Sequence, residues 1–250
     1  MNFDSFVLAA ATADLHDEPD AREHADCVEF RMDLADDPLT AIDAYDGELP
    51  ILATNRAEWD GGEADDDATR LDVLETAVEY DAVEAVDIEL KTMCDGGTTG
   101  TGQPGVDGGT TGTGQPGVDG ERVAAHAREH GASVVVSWHD FEATPGMGEL
   151  QETLREACEY GDVGKVAVTA QARADVLDLL VATRAATAEG DTVATMAMGE
   201  PGRHSRAVAP LYGSRIGYAP VDPAEATAPG QYDLTTLRKL IDTLAGESQA

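Results

Sequence analysis

Lysine is nearly missing from this chain: Lys91, Lys165 and Lys239 stand against 49 acidic residues. With 16 Lys and Arg in all, the formal net charge is −33. Nucleic acid and anionic membrane surfaces are bound through basic patches, so both are excluded as partners. Cysteine is equally scarce. Cys27, Cys94 and Cys158 show no close pairing, which leaves no disulfide framework or zinc site and points to a cytoplasmic protein. No run approaches the roughly 18 apolar residues of a membrane span. The first apolar run follows no basic segment, so no secretory leader is expected.

What is present is a chain 42% hydrophobic, with its apolar residues gathered into short runs. That pattern opposes disorder in spite of the charge. It predicts an acidic surface around an ordinary core, suited to concentrated salt, where repulsion between like charges is screened.

Eight runs have strand character: 6–12, 27–33, 49–56, 83–90, 133–140, 164–170, 192–199 and 214–220. Helical patterns separate most of them, for example DATRLDVLETAVEYD and ARADVLDLLVATRAATAEG. The second connection, PLTAIDAYDG, has room only for a short helix. After the last strand, Leu234, Leu237, Leu240, Ile241 and Leu244 fall on one helical face. Eight strand–helix alternations over this length predict a single (β/α)8 TIM barrel spanning 1–250. A doubly wound open sheet is the competing fold. Its dinucleotide-binding form is disfavoured because no Gly-x-Gly-x-x-Gly follows the first strand.

One segment departs from the alternation. GTTGTGQPGVDG occurs at 97–108 and again at 109–120. Residues 95–120 carry too little apolar surface to offset the entropy of ordering them. They read as a Gly/Thr-rich insertion after the fourth strand, a duplicated linker in solvent.

Barrel active sites gather at the carboxyl ends of strands, and polar residues that a core would not select recur there. Glu29, Arg31 and Asp33 end the second strand; Arg56, Glu58 and Asp60 follow the third. Asp87 and Glu89 lie on the fourth, and Trp138, His139 and Asp140 close the fifth. Lys165 is on the sixth, Met196 and Met198 on the seventh, and Arg206, Thr227 and Gln231 come later. Strand ends are also exposed, so a rim pair such as Arg31 with Asp33 is the plain alternative. A lysine in an apolar run can snorkel or pair with a carboxylate; inside a barrel mouth it can serve as a nucleophile. Lys165 falls near the start of its run, which counts against the second role, while its rarity counts for it. His139 is the only histidine that directly ends a strong strand, and imidazole moves protons near neutral pH. An amine beside an acid–base group suggests imine chemistry on a ketone. Arg31, Arg56 and Arg206 offer forks for carboxylate or hydroxyl oxygens of a small anionic substrate.

The motifs VEFRMD, NRAEWDGG, VVSWHDFEATP, GKVAV, MAMGEPGRHSR and TAPGQ, in this order, carry a resemblance that spans nearly all of 6–250. The chain resembles type I 3-dehydroquinate dehydratases, the Schiff-base class of that shikimate-pathway enzyme. The resemblance implies a (β/α)8 barrel that dehydrates 3-dehydroquinate to 3-dehydroshikimate by syn elimination. It implies that Lys165 forms the imine and that His139 moves the protons. Glu29, Arg31 and Arg56 would hold the ring hydroxyls, Arg206 the carboxylate, and Gln231 would belong to a closing loop. Asp60 stands where many members have glutamate, and Thr227 where serine is common. No metal or cofactor is called for, because a protonated imine already withdraws electrons. The family often forms homodimers. An imine-forming aldolase of the same barrel class and a non-catalytic metabolite-binding barrel are the alternatives.

Overall fold

The computed structural model describes residues 1–94, 118–222, 224 and 228–246. The predicted insertion at 95–120 lies outside these residues except for its last three, which begin a helix. Strands and helices alternate in the order β1 (Val7–Thr12), α1 (Glu18–Ala21), β2 (Cys27–Arg31), α2 (Pro38–Asp43), β3 (Ile51–Thr54), α3 (Asp67–Ala77) and β4 (Val83–Glu89). They continue with α4 (Leu90–Met93), α5 (Val118–Glu129), β5 (Ser133–Asp140), α6 (Met147–Tyr160), β6 (Val163–Thr169) and α7 (Arg173–Glu189). The remainder is β7 (Val193–Met198), α8 (Gly199–Gly202), α9 (Ser205–Val208), β8 (Ile216–Pro220) and α10 (Leu234–Ala245).

All eight expected strands form, and the second connection does hold a short helix. Proline at its first position and the Asp37 carboxylate accepting from Thr40 N–H start α2. The same device, a carboxylate on an orphan N–H, starts α3 at Asp66 and α10 at Asp233. β2 stops two residues earlier than expected, because Met32–Leu34 turns as a 3-10 helix. Asp33 therefore leaves the strand's alternation.

Neighbouring strands are parallel and follow in chain order, and β1 also pairs with β8. That order excludes the doubly wound sheet, which reverses direction at a switch point. Seven junctions are ladders of several residue pairs, the β3–β4 one with a register shift between Ile51 and Leu52. The eighth, between β7 and β8, is a single bridge of Val193 with Ser214, so the barrel is nearly closed. Ser214 does side-chain work at this seam: its buried hydroxyl accepts from Thr195 N–H at 2.9 Å.

Residues of one parity point into the barrel. Val7, Ala9, Cys27, Leu52, Ala85, Val135, Val163 and Ile216 fill its lower part, with Phe3 packed against them. The other parity packs under the helices, where Leu74, Leu150, Leu154 and Leu179 are wholly buried. Each such leucine contributes about 1.5–3 kcal/mol. The lower barrel is thus apolar and plugged, and polar side chains are confined to the upper layers.

Ser214→Ala leaves a buried backbone N–H without its acceptor, so a loss of about 1–3 kcal/mol is expected. Denaturant unfolding at fixed salt measures it; an unchanged midpoint would show that the seam does not need this hydroxyl.

Candidate active site

Strand alternation dictates which groups meet inside. On β4 it brings Asp87 and Glu89 to the interior, on β5 Ser137 and His139, and on β6 Lys165 and Ala167. The register places Lys165 beside Ser137, and His139 beside Ala167. Lys165 is the third of seven residues in β6, so its amine rises from the middle of the barrel and not from the rim. Position along the strand, an apparent objection to a role, instead puts the amine on the cavity floor.

The Lys165 ammonium donates to Asp87 Oδ2 at 2.9 Å. It also sits 4.4 Å from the centroid of the Tyr218 ring. Asp87 is fully enclosed. Its other oxygen accepts from Arg56 Nη2 at 2.7 Å and from Ser137 Oγ at 2.6 Å. Burial alone would raise the Asp87 pKa, but Arg56, Lys165 and the Ser137 hydrogen bond outweigh it and hold the group well below the usual carboxylate range. Arg56 is the hub. Burial works against its charge, yet Asp87, Glu89 and Asp60 raise its pKa well above normal. Its Nη1 reaches Glu89 at 3.0 Å, Ser137 at 2.8 Å and Asp60 at 3.4 Å. Arg70, from α3, pairs with the far oxygen of Glu89 at 2.9 Å.

Asp60 arrives by a tight turn. The 3-10 turn Glu58–Asp60 is closed by Gly61 in the left-handed region, at φ 79°. A Cβ on Gly62 would stand 2.1 Å from the Arg56 carbonyl oxygen. Only glycine allows the chain to fold back so closely, and WDGG encodes that return. The Asp60 carboxylate then lies 2.7 Å from His139 Nδ1, which leaves Nε2 for chemistry. Burial is the largest influence on His139 and lowers its pKa from 6.5; the Asp60 bond opposes it, while Arg56 and Lys165 add to the lowering. The imidazole is consequently neutral at neutral pH and able to accept a proton.

A cavity of about 590 Å³, including its open mouth, lies over these groups. Lys165 and His139 line it together with Glu29, Arg31, Arg56 and Asp60, and Arg206 and Gln231 face it from the opposite side. Thr54 donates to Glu29 at 3.2 Å. Arg31 makes the rim pair with Asp33, through bonds of 2.9 and 2.6 Å, and still faces the cavity. Arg206 is different in kind. It is 4% exposed, no carboxylate pairs with it among the described residues, and burial pulls its pKa down to about 10. It remains a cation at neutral pH, poised for an anion. Gly199 N–H donates to Pro229 carbonyl at 3.1 Å, tying the β7 loop to the segment that carries Gln231. Gln231 Oε1 accepts from Ala228 N–H at 3.2 Å. Thr227, the other residue expected there, lies outside the described residues. Among the described residues no group of three His, Cys, Asp or Glu converges as metal ligands would.

Five contributors escaped the sequence reading, among them Arg70 and Thr54, which hold Glu89 and Glu29. Ser137 could have been found, since it is two residues before His139 on the same strand face. Phe141, stacked on His139 at 5.6 Å, follows the histidine in HDF but resembles any loop aromatic. Tyr218 carries no signal that separates it from a core side chain.

Fold and site together describe a (β/α)8 barrel whose one upper cavity is lined by a buried amine, a neutral imidazole and a cation that no carboxylate pairs among the described residues. Residues 6–248 match the model of the family described as type I 3-dehydroquinase. The chain is 58% identical over 248 residues to the 3-dehydroquinate dehydratase of Haloarcula marismortui, covering 99% of this chain and 100% of that one. It is 52% identical to the enzyme of Haloquadratum walsbyi, over 98% and 94%. The crystal structure of 3-dehydroquinate dehydratase from Geobacillus kaustophilus superposes with a TM-score of 0.75 at 27% identity, over 98% of this chain and 93% of that one. The chain belongs to the type I 3-dehydroquinase family. The aldolase and the non-catalytic barrel are thereby set aside.

The electrostatics predict that His139 titrates below 6.5 and that Asp60→Asn, by removing the opposing charge, lowers its pKa further. NMR titration of the imidazole measures both; an upward shift in the variant would contradict the assigned balance. Because burial favours the neutral ring, this histidine's contribution to stability is complete above pH ~6.5 and falls as pH drops toward the lower folded value.

Proposed function

We propose that Lys165 and His139 perform the dehydration of 3-dehydroquinate to 3-dehydroshikimate and water, the family's imine-mediated syn elimination in the shikimate pathway. The observation that carries this assignment is the Lys165 amine, buried on the floor of the cavity that His139 also lines. Arg206 receives the substrate carboxylate, which places the ketone over Lys165. The Lys165 ammonium passes a proton to His139, the freed amine attacks the carbonyl carbon, and His139 returns the proton to the departing hydroxyl, so that water leaves and a protonated imine forms. His139, neutral and held by Asp60, takes a proton from the carbon between the imine and the carbon that bears the departing hydroxyl. The electron pair moves into the imine. On its return the hydroxyl leaves with the proton from His139, as water. Hydrolysis of the product imine consumes one water and frees the amine, so one water is released overall. Asp87 and Arg56 stay ionised throughout and fix where the amine points. Glu29, Arg31 and Arg56 face the ring hydroxyls, and Gln231 covers them from the mouth.

Cytoplasmic residence and assembly into a homodimer complete the proposal. No described helix is long and apolar enough to cross a membrane, and the three cysteines are free. Sedimentation velocity in molar salt tests the dimer; a monomer at all concentrations would remove it.

Lys165→Ala is expected to abolish turnover, and borohydride with substrate should leave a reduced adduct on the native protein only. Native activity with no trapped adduct would sink the imine. His139→Ala is expected to keep a trappable imine while its rate falls about 10²–10⁴-fold. The enone absorbance of the product reports the rate, and an unaltered rate would move the proton-transfer role elsewhere.

A further inference from the structure

The nearly open junction between β7 and β8 contains a second, smaller cavity. It is lined by Thr195, Ser214, Ile216 and Gly217, together with Met196, Arg206 and Tyr218. The last three also line the main cavity, so they form the partition between the two. Two atoms of that partition, Arg206 Nε and the Tyr218 hydroxyl, are buried and have no hydrogen-bond partner among the described residues. Both side chains are 4% exposed. Burying either group unpaired costs about 1–3 kcal/mol, and both residues flank the same small cavity, where one partner could serve the two of them. The other polar side chains of the lining are engaged: Ser214 Oγ accepts from Thr195 N–H at 2.9 Å, and the Thr195 hydroxyl bonds that of Thr183 at 2.7 Å. The cavity has room for about one water molecule.

We infer that the β7–β8 seam binds one structural water that accepts from Arg206 Nε–H and bonds the Tyr218 hydroxyl. A guanidinium carries its N–H groups in one rigid plane. Fixing Nε from behind therefore aims the two terminal nitrogens into the main cavity. Tyr218 acts as a positioning residue through this water, while its ring, 4.4 Å from the Lys165 ammonium, serves separately. A laddered β7–β8 junction would leave no space for the water, which gives the incomplete closure a use. The inference rests on the reading that Arg206 binds the substrate carboxylate.

Tyr218→Phe keeps the ring and deletes the hydroxyl. Its KM for 3-dehydroquinate is expected to rise about two- to tenfold, the range of one lost hydrogen bond, with kcat kept within about twofold. A high-resolution crystal structure of the native protein should show an ordered water within hydrogen-bond distance of both atoms, and that of the variant should lack it. No such water, or an unchanged KM in the variant, overturns the inference. Arg206→Gln is measured in parallel. If it raises KM steeply while Tyr218→Phe does not, only the seam water falls. If Arg206→Gln leaves KM unchanged, the carboxylate assignment fails, and the positioning role fails with it.

Discussion

A carboxylate enclosed in the middle of a barrel must be surrounded by compensating charge, and Asp87 imposes that demand on everything above it. Lys165 and Arg56 answer it from opposite sides, one on each oxygen. Arg56 in turn gathers Glu89 and Asp60, and Asp60 orients His139. Each contact is the condition for the next, so amine and imidazole are placed by one connected chain of ion pairs that ends in the Asp60–His139 hydrogen bond. Buried pairs of this kind lose more in desolvation than exposed ones and are poor candidates for adding net stability. Their effect here is orientation.

Inside and outside obey different electrostatics. The excess acidic charge is carried mainly on the surface, where dissolved ions screen it. The buried network is nearly balanced between its own cations and anions and is shielded from the same ions by protein. Salt can therefore adjust the stability of the folded chain without displacing the Lys165–Asp87 pair. The halophilic archaeal relatives at 58% and 52% identity fit a surface of this kind.

Much of the architecture was legible because a barrel repeats one simple instruction. Short apolar runs between helical patterns marked all eight strands, and the structure pairs them in chain order. Lys165 and His139 were visible through rarity and placement at strand positions. What alternation cannot report is depth: Lys165 looked too early in its run until the structure showed that the cavity floor lies at mid-strand. Nor can it report closure, which depends on a few hydrogen bonds at Ser214. Arg31 met both expectations at once, pairing with Asp33 while facing the cavity. Tyr218 stayed hidden because an inward tyrosine on a strand is chemically indistinguishable, in sequence, from core packing. Asp87 was noticed as a polar residue on β4, but its central place follows from three partners distant in the chain.

The uneven closure of the barrel also separates two mechanical duties. β3 to β6, joined by multi-residue ladders with one register shift between Ile51 and Leu52, carry Arg56 at their edge and Asp87, His139 and Lys165 within. That arc is the better-paired side of the ring, and it holds the amine and imidazole proposed to react. Arg206 and Gln231 arise beside the single-bridge junction, where the ring of hydrogen bonds is interrupted. Local opening needs least free energy where fewest bonds must break. Strain on the ring is thus taken up first in that quarter, and the arc holding Asp87, His139 and Lys165 is the last to yield.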